Sequence, residues 1–160
     1  MAVGRYFETV FGRMYVAAEG GCVVRLTCEA AADGDVVVDK KETPALLERT
    51  ISQVMEYLDG KRTDFDIPVQ ASGTPFQKKV WDALCKIPYG RTYTYREVAE
   101  AVGSPKGARA VGMACNRNPI MLLIPCHRVI GSTGKLVGFG GGLQMKEYLL
   151  ELERKSKKPH

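Results

Sequence analysis

The stretch "FDIPVQASGTPFQ", residues 65–77, divides the chain into two textures and so limits what it can fold into. Its Pro68, Gly73 and Pro75 interrupt any regular element. Ahead of it, residues 3–28 form three short apolar runs broken by Gly12 and Gly20-Gly21, the pattern of a β-meander. A helix is expected over 44–59, with Thr43 as its N-cap, Leu46, Leu47, Ile51, Val54, Tyr57 and Leu58 on one face, and Gly60 as the stop. Behind the divide the texture is helical: Thr74 stands before Pro75 as an N-cap, and Phe76, Val80, Trp81 and Leu84 share a face up to Pro88-Tyr89-Gly90. The expected architecture is thus α/β plus mainly α, with domains at 1–73 and 74–160.

Charge follows the same division. Residues 1–73 carry 8 Lys/Arg against 12 Asp/Glu, whereas residues 74–160 carry 15 against 6. A basic excess confined to one half suits an anionic partner such as nucleic acid, with a solvated Lys155, Lys157, Lys158 tail as the plainer alternative. No apolar run approaches the roughly 18 to 20 residues that span a bilayer, and the first twenty residues lack a signal-peptide core, so a cytoplasmic protein with no membrane contact is expected. The five cysteines form no CxxC pair and only two histidines are present, which argues against a disulfide framework and against a metal site.

Two short helices are expected in "TYREVAEAVG" and "PKGARAVGMACNRN", separated by Gly103-Ser104-Pro105, the spacing of a helix-turn-helix or of two helices packed on a core. The second is nearly bare. Gly107, Ala108, Ala110, Gly112 and Ala114 permit close backbone approach to another surface, and Arg109 is the long projection from its middle. Downstream, "NPIMLLIPCHRVIGSTG" reads as a buried strand that ends at Pro125 and delivers Cys126 beside His127. A thiol does chemistry as its thiolate, which needs a neighbouring base, cation or helix N-terminus. Adjacent residues of an extended segment point to opposite sides, so either Pro125 makes a turn there or the pair is an incidental strand end.

Taken with its flanks, "PCHRVIG" preceded by Asn118-Pro119 and followed by "GGLQMKEYLLELE" resembles the O6-alkylguanine-DNA alkyltransferases. The likeness runs back through "FQKKVWDALCKIPYGRTYTYREVAEAVGSPKGARAVG" and covers Thr74 to Glu153, while the first 73 residues match only in layout. The resemblance implies a ribonuclease-H-like N-terminal domain and a winged helix-turn-helix C-terminal domain. It implies that Cys126 accepts an alkyl group from O6-alkylguanine, and from O4-alkylthymine, stoichiometrically and irreversibly, with no cofactor. His127 would be the base acting through water, Glu153 the carboxylate that orients it and favours its charged form, and Asn118 the tie between a helix end and the active-site loop. Tyr95 would assist loss of the guanine anion.

The resemblance further implies double-stranded DNA bound through the minor groove by a monomer, with the alkylated guanine flipped out. Arg109 would fill the stack, and Tyr95, Ala108, Gly112, Arg117 and Arg128 would contact DNA. Pro125, Val129, Phe139, Gly140 and Gly141 would line the pocket, and the carbonyls of Cys126 and Val129 would read the guanine amino group. Phe139 stands where the family often has Tyr, so a hydroxyl contact is lost while an aromatic wall stays. The glycines around Phe139 would form either a mobile wall or a tight turn. A Cys-His hydrolase would use the same pair, but no oxyanion-hole motif is evident. A non-catalytic lesion binder would lack the cysteine, and a transcription regulator needs base-reading side chains that residues 106–117 do not offer.

Overall fold

The computed structural model describes residues 1–134, 139 and 141–156; Gly140, Gly138 and the Lys157, Lys158 tail lie outside the described residues. The described residues fall into two compact units, one of residues 1–72 with 119–123, the other of 73–118 with the described residues from 124 to 156.

In the first unit β1 (Val3–Thr9), β2 (Gly12–Glu19) and β3 (Cys22–Thr27) form the antiparallel meander, and a short β4 (Val36–Val37) pairs parallel to β1, giving the order β3-β2-β1-β4. The Gly20-Gly21 turn holds φ of 61° and 81°, the left-handed pair that a two-residue hairpin requires. β4 has no counterpart in the sequence reading: two exposed valines carry no periodic signal. Helix α1 (Ala45–Leu58) buries Leu47, Val54, Tyr57 and Leu58, together with Thr50 and Gln53.

Thr43 does not cap α1. Pro44 occupies the N-cap position without a side-chain bond, and the Thr43 hydroxyl donates to the Asp39 carbonyl at 2.7 Å while accepting from Arg5. Gly4 is needed where it stands, because a Cβ there would sit 1.8 Å from the Tyr15 hydroxyl oxygen.

The apolar run before Pro125 is buried but is not a strand. Ile120 makes a single bridge to Leu26, Leu26 N donates to the Pro119 carbonyl and Met121 N to the Leu26 carbonyl, each at 2.9 Å. Leu122 then takes a left-handed φ of 69° that ends any extended pairing. The segment 119–123 therefore belongs with the first unit, although it lies deep in the second half of the sequence.

The second unit holds α2 (Pro75–Leu84), β5 (Tyr93–Thr94), α3 (Tyr95–Ala101), α4 (Ala108–Asn116), β6 (Val129–Ile130) and α5 (Leu143–Ser156). Thr74 with Gln77 and Thr94 with Glu97 form complete capping boxes, so α2 and α3 begin where their first orphan N–H groups find partners. β5 and β6 pair parallel, Tyr93 with Val129 and Thr94 with Ile130. Val80, Trp81, Leu84, Val98, Val111 and Leu149 are buried, and the Trp81 indole donates to the Ala114 carbonyl at 2.9 Å. Among the described residues no helix is long and apolar enough to cross a membrane.

Candidate active site

Pro125 bends the chain at φ −81°, ψ 65°, and Arg128 N closes a turn on the Pro125 carbonyl at 3.0 Å, so Cys126–Arg128 form one turn of 3-10 helix. At three residues per turn the consecutive side chains diverge by about 120° rather than pointing to opposite faces. All three are buried, as are Pro125 and Val129 on either side. Val129 N donates to the Cys126 carbonyl, one of the two carbonyls expected to read guanine.

Glu153, from the last turns of α5, organises the other two side chains. His127 Nε2 lies 2.7 Å from its Oε2, Arg128 donates from Nε to Oε1 at 2.9 Å and from a terminal nitrogen to Oε2 at 3.0 Å, and Gly90 N donates to Oε1 at 3.0 Å. Burial alone would raise the Glu153 pKa, but the bonds from His127 and Arg128 outweigh it and hold the carboxyl at about 2. An ionised carboxylate can only accept, so Nε2 carries the hydrogen and Nδ1 the basic lone pair. Burial lowers the imidazole pKa; Glu153 favours the charged ring, as expected of it, but burial, with Arg128 and Lys146 on its side, outweighs that contribution. The imidazole is neutral, the form in which it can take a proton.

Burial raises the Cys126 pKa, against the lowering effect of a hydrogen bond with Asn118 and of the Lys146 charge. Asn118 also donates from Nδ2 to the Ile124 carbonyl at 2.8 Å, so the end of α4 is tied to the cysteine loop. Tyr95, the first residue of α3, has its pKa pushed up to about 12 by burial and by the nearby Cys115 and Cys126. The Phe139 ring meets His127 edge-on at 6.5 Å between centroids. Gly141 lies in the turn that Gly142 N closes on the Phe139 carbonyl, ahead of α5, and Gly140 is outside the described residues.

Arg128 is not where the sequence reading put it. It was expected against DNA, yet it is 7% exposed, bonded to Glu153 and, at 2.7 Å, to the Ile87 carbonyl. Arg109 and Arg117 are exposed, on and just after α4. Tyr95, Ala108, Arg109 and Gly112 line an open groove of about 680 Å³ with Lys106 and Ser132. A Cβ on Gly112 would meet Tyr95 only at ordinary distances of 3.8 and 3.9 Å, so its smallness serves the open side of the helix rather than packing. Met113, 55% exposed on the same helix, qualifies the expectation of a nearly bare helix.

Sequence reasoning missed Lys146. It is fully buried on α5, and its Nζ donates to the Tyr95 hydroxyl at 3.4 Å. A lysine at an otherwise apolar helix position, with Met145 and Leu149 also buried, was the available signal. Among the described residues no group of three His, Cys, Asp or Glu could hold a metal ion.

These features define a class: a protein of two compact units whose second unit presents a buried thiol, backed by an imidazole, a carboxylate and a guanidinium, beside a small-residue helix with exposed arginines. The chain belongs to the 6-O-methylguanine DNA methyltransferase family, whose ribonuclease-like domain model matches residues 3–71 and whose DNA binding domain model matches residues 75–155. It therefore has the family's two-domain, mixed α/β architecture. A methylated-DNA–protein-cysteine methyltransferase of Methanosarcina barkeri is 50% identical over 119 residues, 74% of this chain and 75% of that protein. One from Mycobacterium leprae is 55% identical over 104 residues, 65% of this chain and 63% of that protein. The crystal structure of Mycobacterium tuberculosis OGT in complex with DNA superposes with a TM-score of 0.88 at 38% identity, covering 96% of this chain and 94% of that one.

Proposed function

We propose that Cys126 takes an alkyl group directly from O6 of guanine in double-stranded DNA, and by the same chemistry from O4 of thymine. A soft sulfur nucleophile suits displacement at the carbon of an aryl ether. The sulfur bonds that carbon, the carbon–O6 bond breaks, and the guanine leaves as an anion that takes a proton from Tyr95. Neutral His127, held by Glu153, removes the thiol proton beforehand through a bridging water. The thioether is chemically stable, so each molecule acts once, without a cofactor.

The O6 atom of a paired guanine is unreachable inside the duplex, so the nucleotide is extruded at a cost of a few kcal/mol. In this reading Ala108 and Gly112 let α4 lie in the minor groove, Arg109 fills the vacated stack, and Arg117 and Tyr95 contact the backbone. Pro125, Val129, Phe139 and Gly141 line the pocket for the base, with Gly140 between the last two in sequence. We further infer a ribonuclease-H-like first domain over 1–73 and a winged helix-turn-helix second domain over 74–160, acting as a cytoplasmic monomer. The α3–α4 pair and the β5–β6 ladder support the second label.

The observation that carries the proposal is the buried Cys126 thiol in contact with Asn118 and next to a neutral His127 held by Glu153. Incubation with duplex DNA containing O6-methylguanine, followed by peptide mass measurement, should place one methyl group on Cys126 and none on Cys22, Cys28, Cys85 or Cys115. A methyl group elsewhere, or repeated turnover, would overturn it.

A further inference from the structure

Lys146 is the one fully buried lysine among the described residues, and the roles assigned so far give it nothing to do. A cation is rarely kept out of water unless it meets specific partners, because desolvation disfavours the charged form. Its surroundings are unusual. Tyr95 faces it from α3, with the hydroxyl 3.4 Å from Nζ and the ring centroid 5.7 Å away. The Cys115 thiol of α4 and the Cys126 thiol of the 3-10 turn both favour its charge, while His127 is disfavoured as a cation by it. Burial lowers the Lys146 pKa, so the neutral amine is within reach once the proton has somewhere to go.

The direction of the hydrogen bond decides the role. An ammonium has donors and no acceptor, so Nζ–H must point at a lone pair of the Tyr95 oxygen, and the single hydrogen of the phenol has to point away from Lys146. Burial holds the phenol pKa at about 12, a weak acid that would be slow to release a proton unless the resulting phenolate were stabilised.

We propose that Lys146 is a positioning residue for alkyl transfer: through its hydrogen bond it orients the Tyr95 hydroxyl and re-protonates it as the leaving group departs. This deepens the acceptor reading above and rests on it. The step balances. The carbon–O6 electron pair leaves with guanine, the Tyr95 proton goes to the guanine ring, a Lys146 proton goes to the Tyr95 oxygen, and Lys146 ends as a neutral amine. The thiol proton has already passed to His127.

The test separates help to the leaving group from help to the thiolate. Single-turnover transfer from saturating duplex O6-methylguanine DNA needs protonation of the leaving group, whereas alkylation of Cys126 by iodoacetamide does not, because iodide leaves unaided. Lys146→Met should slow the first by at least about tenfold more than the second, on the scale of general-acid assistance. The excess should disappear in a Tyr95→Phe background, and Lys146→Arg, which keeps a donor cation, should recover part of it. Where Met at 146 does not fold, Lys146→Gln serves with the same two readouts.

Equal losses with both reagents, or an undiminished excess without the Tyr95 hydroxyl, would overturn the role. A native chain that takes no methyl group from DNA, yet reacts with iodoacetamide at Cys126, would overturn the acceptor reading and this one with it.

Discussion

Replacing Arg128 by Met distinguishes a buried structural ion from a DNA contact. The guanidinium donates two bonds to Glu153 and one to the Ile87 carbonyl, at 2.7 to 3.0 Å, and is 7% exposed. Methionine keeps much of the volume but leaves the carboxylate with His127 and Gly90 as partners. Removing one member of a buried pair typically costs about 3 to 5 kcal/mol. Part of that returns here, because Arg128 is one of the groups that keep His127 neutral, and without it the imidazole can charge and pair with Glu153.

The expected loss is therefore near the lower end, about 3 kcal/mol, a large share of the roughly 5 to 15 kcal/mol available to a natural fold. It should be smaller at pH 5 than at pH 8, since protonated His127 substitutes for the missing cation only in acid. Urea unfolding at the two pH values measures it. DNA titrations across a salt series provide the second readout, because each lost phosphate contact reduces the slope of log K against log salt by about 0.9. Arg128→Met should leave that slope unchanged, whereas Arg117→Ala should reduce it with little effect on stability. Unaltered stability of Arg128→Met, together with a slope reduced by about 0.9, would refute the buried role.

Acid should destabilise the fold in two stages. His127 and Glu153 both have folded pKa values below their ordinary ones, so the stability linked to each is present above its unfolded pKa and is lost as pH falls. The His127 share begins to go below about pH 6.5, and the Glu153 share, about 3 kcal/mol, goes between roughly pH 5 and 2; stability that stays flat from pH 7 to 3 would contradict both. Thr94→Ala removes the hydroxyl that accepts from Glu97 N and should cost about 1 kcal/mol in thermal or urea unfolding, with no change if α3 starts elsewhere. Arg109→Ala should slow repair of duplex DNA far more than reaction with free O6-substituted guanine, and equal losses would remove the stack-filling role.

How much of this was legible in the sequence depends on how far away each partner lies. The Thr74 cap could be read because its partner Gln77 is three residues on, and the three-strand meander because Gly12 and Gly20-Gly21 mark its turns. Thr43 looked equally convincing and was misread, since the claims on its hydroxyl come from Asp39 and from Arg5, which is 38 positions away. The run 120–124 is apolar enough for a strand, but burial without alternation does not distinguish strand from buried turn, and Leu122 is in a conformation that composition does not signal. Cys126 and His127 announced themselves by adjacency. Arg128 and Lys146 did not, because what buries them is tertiary: Glu153 lies 25 positions from Arg128, and Tyr95 lies 51 from Lys146.

The charge argument nevertheless survives these errors, for a physical reason. Of the 12 Lys/Arg among the described residues from 74 on, Arg128 and Lys146 are buried, and of the 6 Asp/Glu, Glu153 is buried, so the described charges left outside still favour cations by 10 to 5. A buried ion is costly unless an opposite charge accompanies it, so burial tends to remove charges in compensating sets and leaves the net excess nearly intact. The sum over a domain is thus a sounder guide to an anionic partner than any single arginine. Which arginine is free to meet a partner is decided by contacts that the sum does not contain: Arg128 is engaged by Glu153 and the Ile87 carbonyl, whereas Arg109 and Arg117 are exposed.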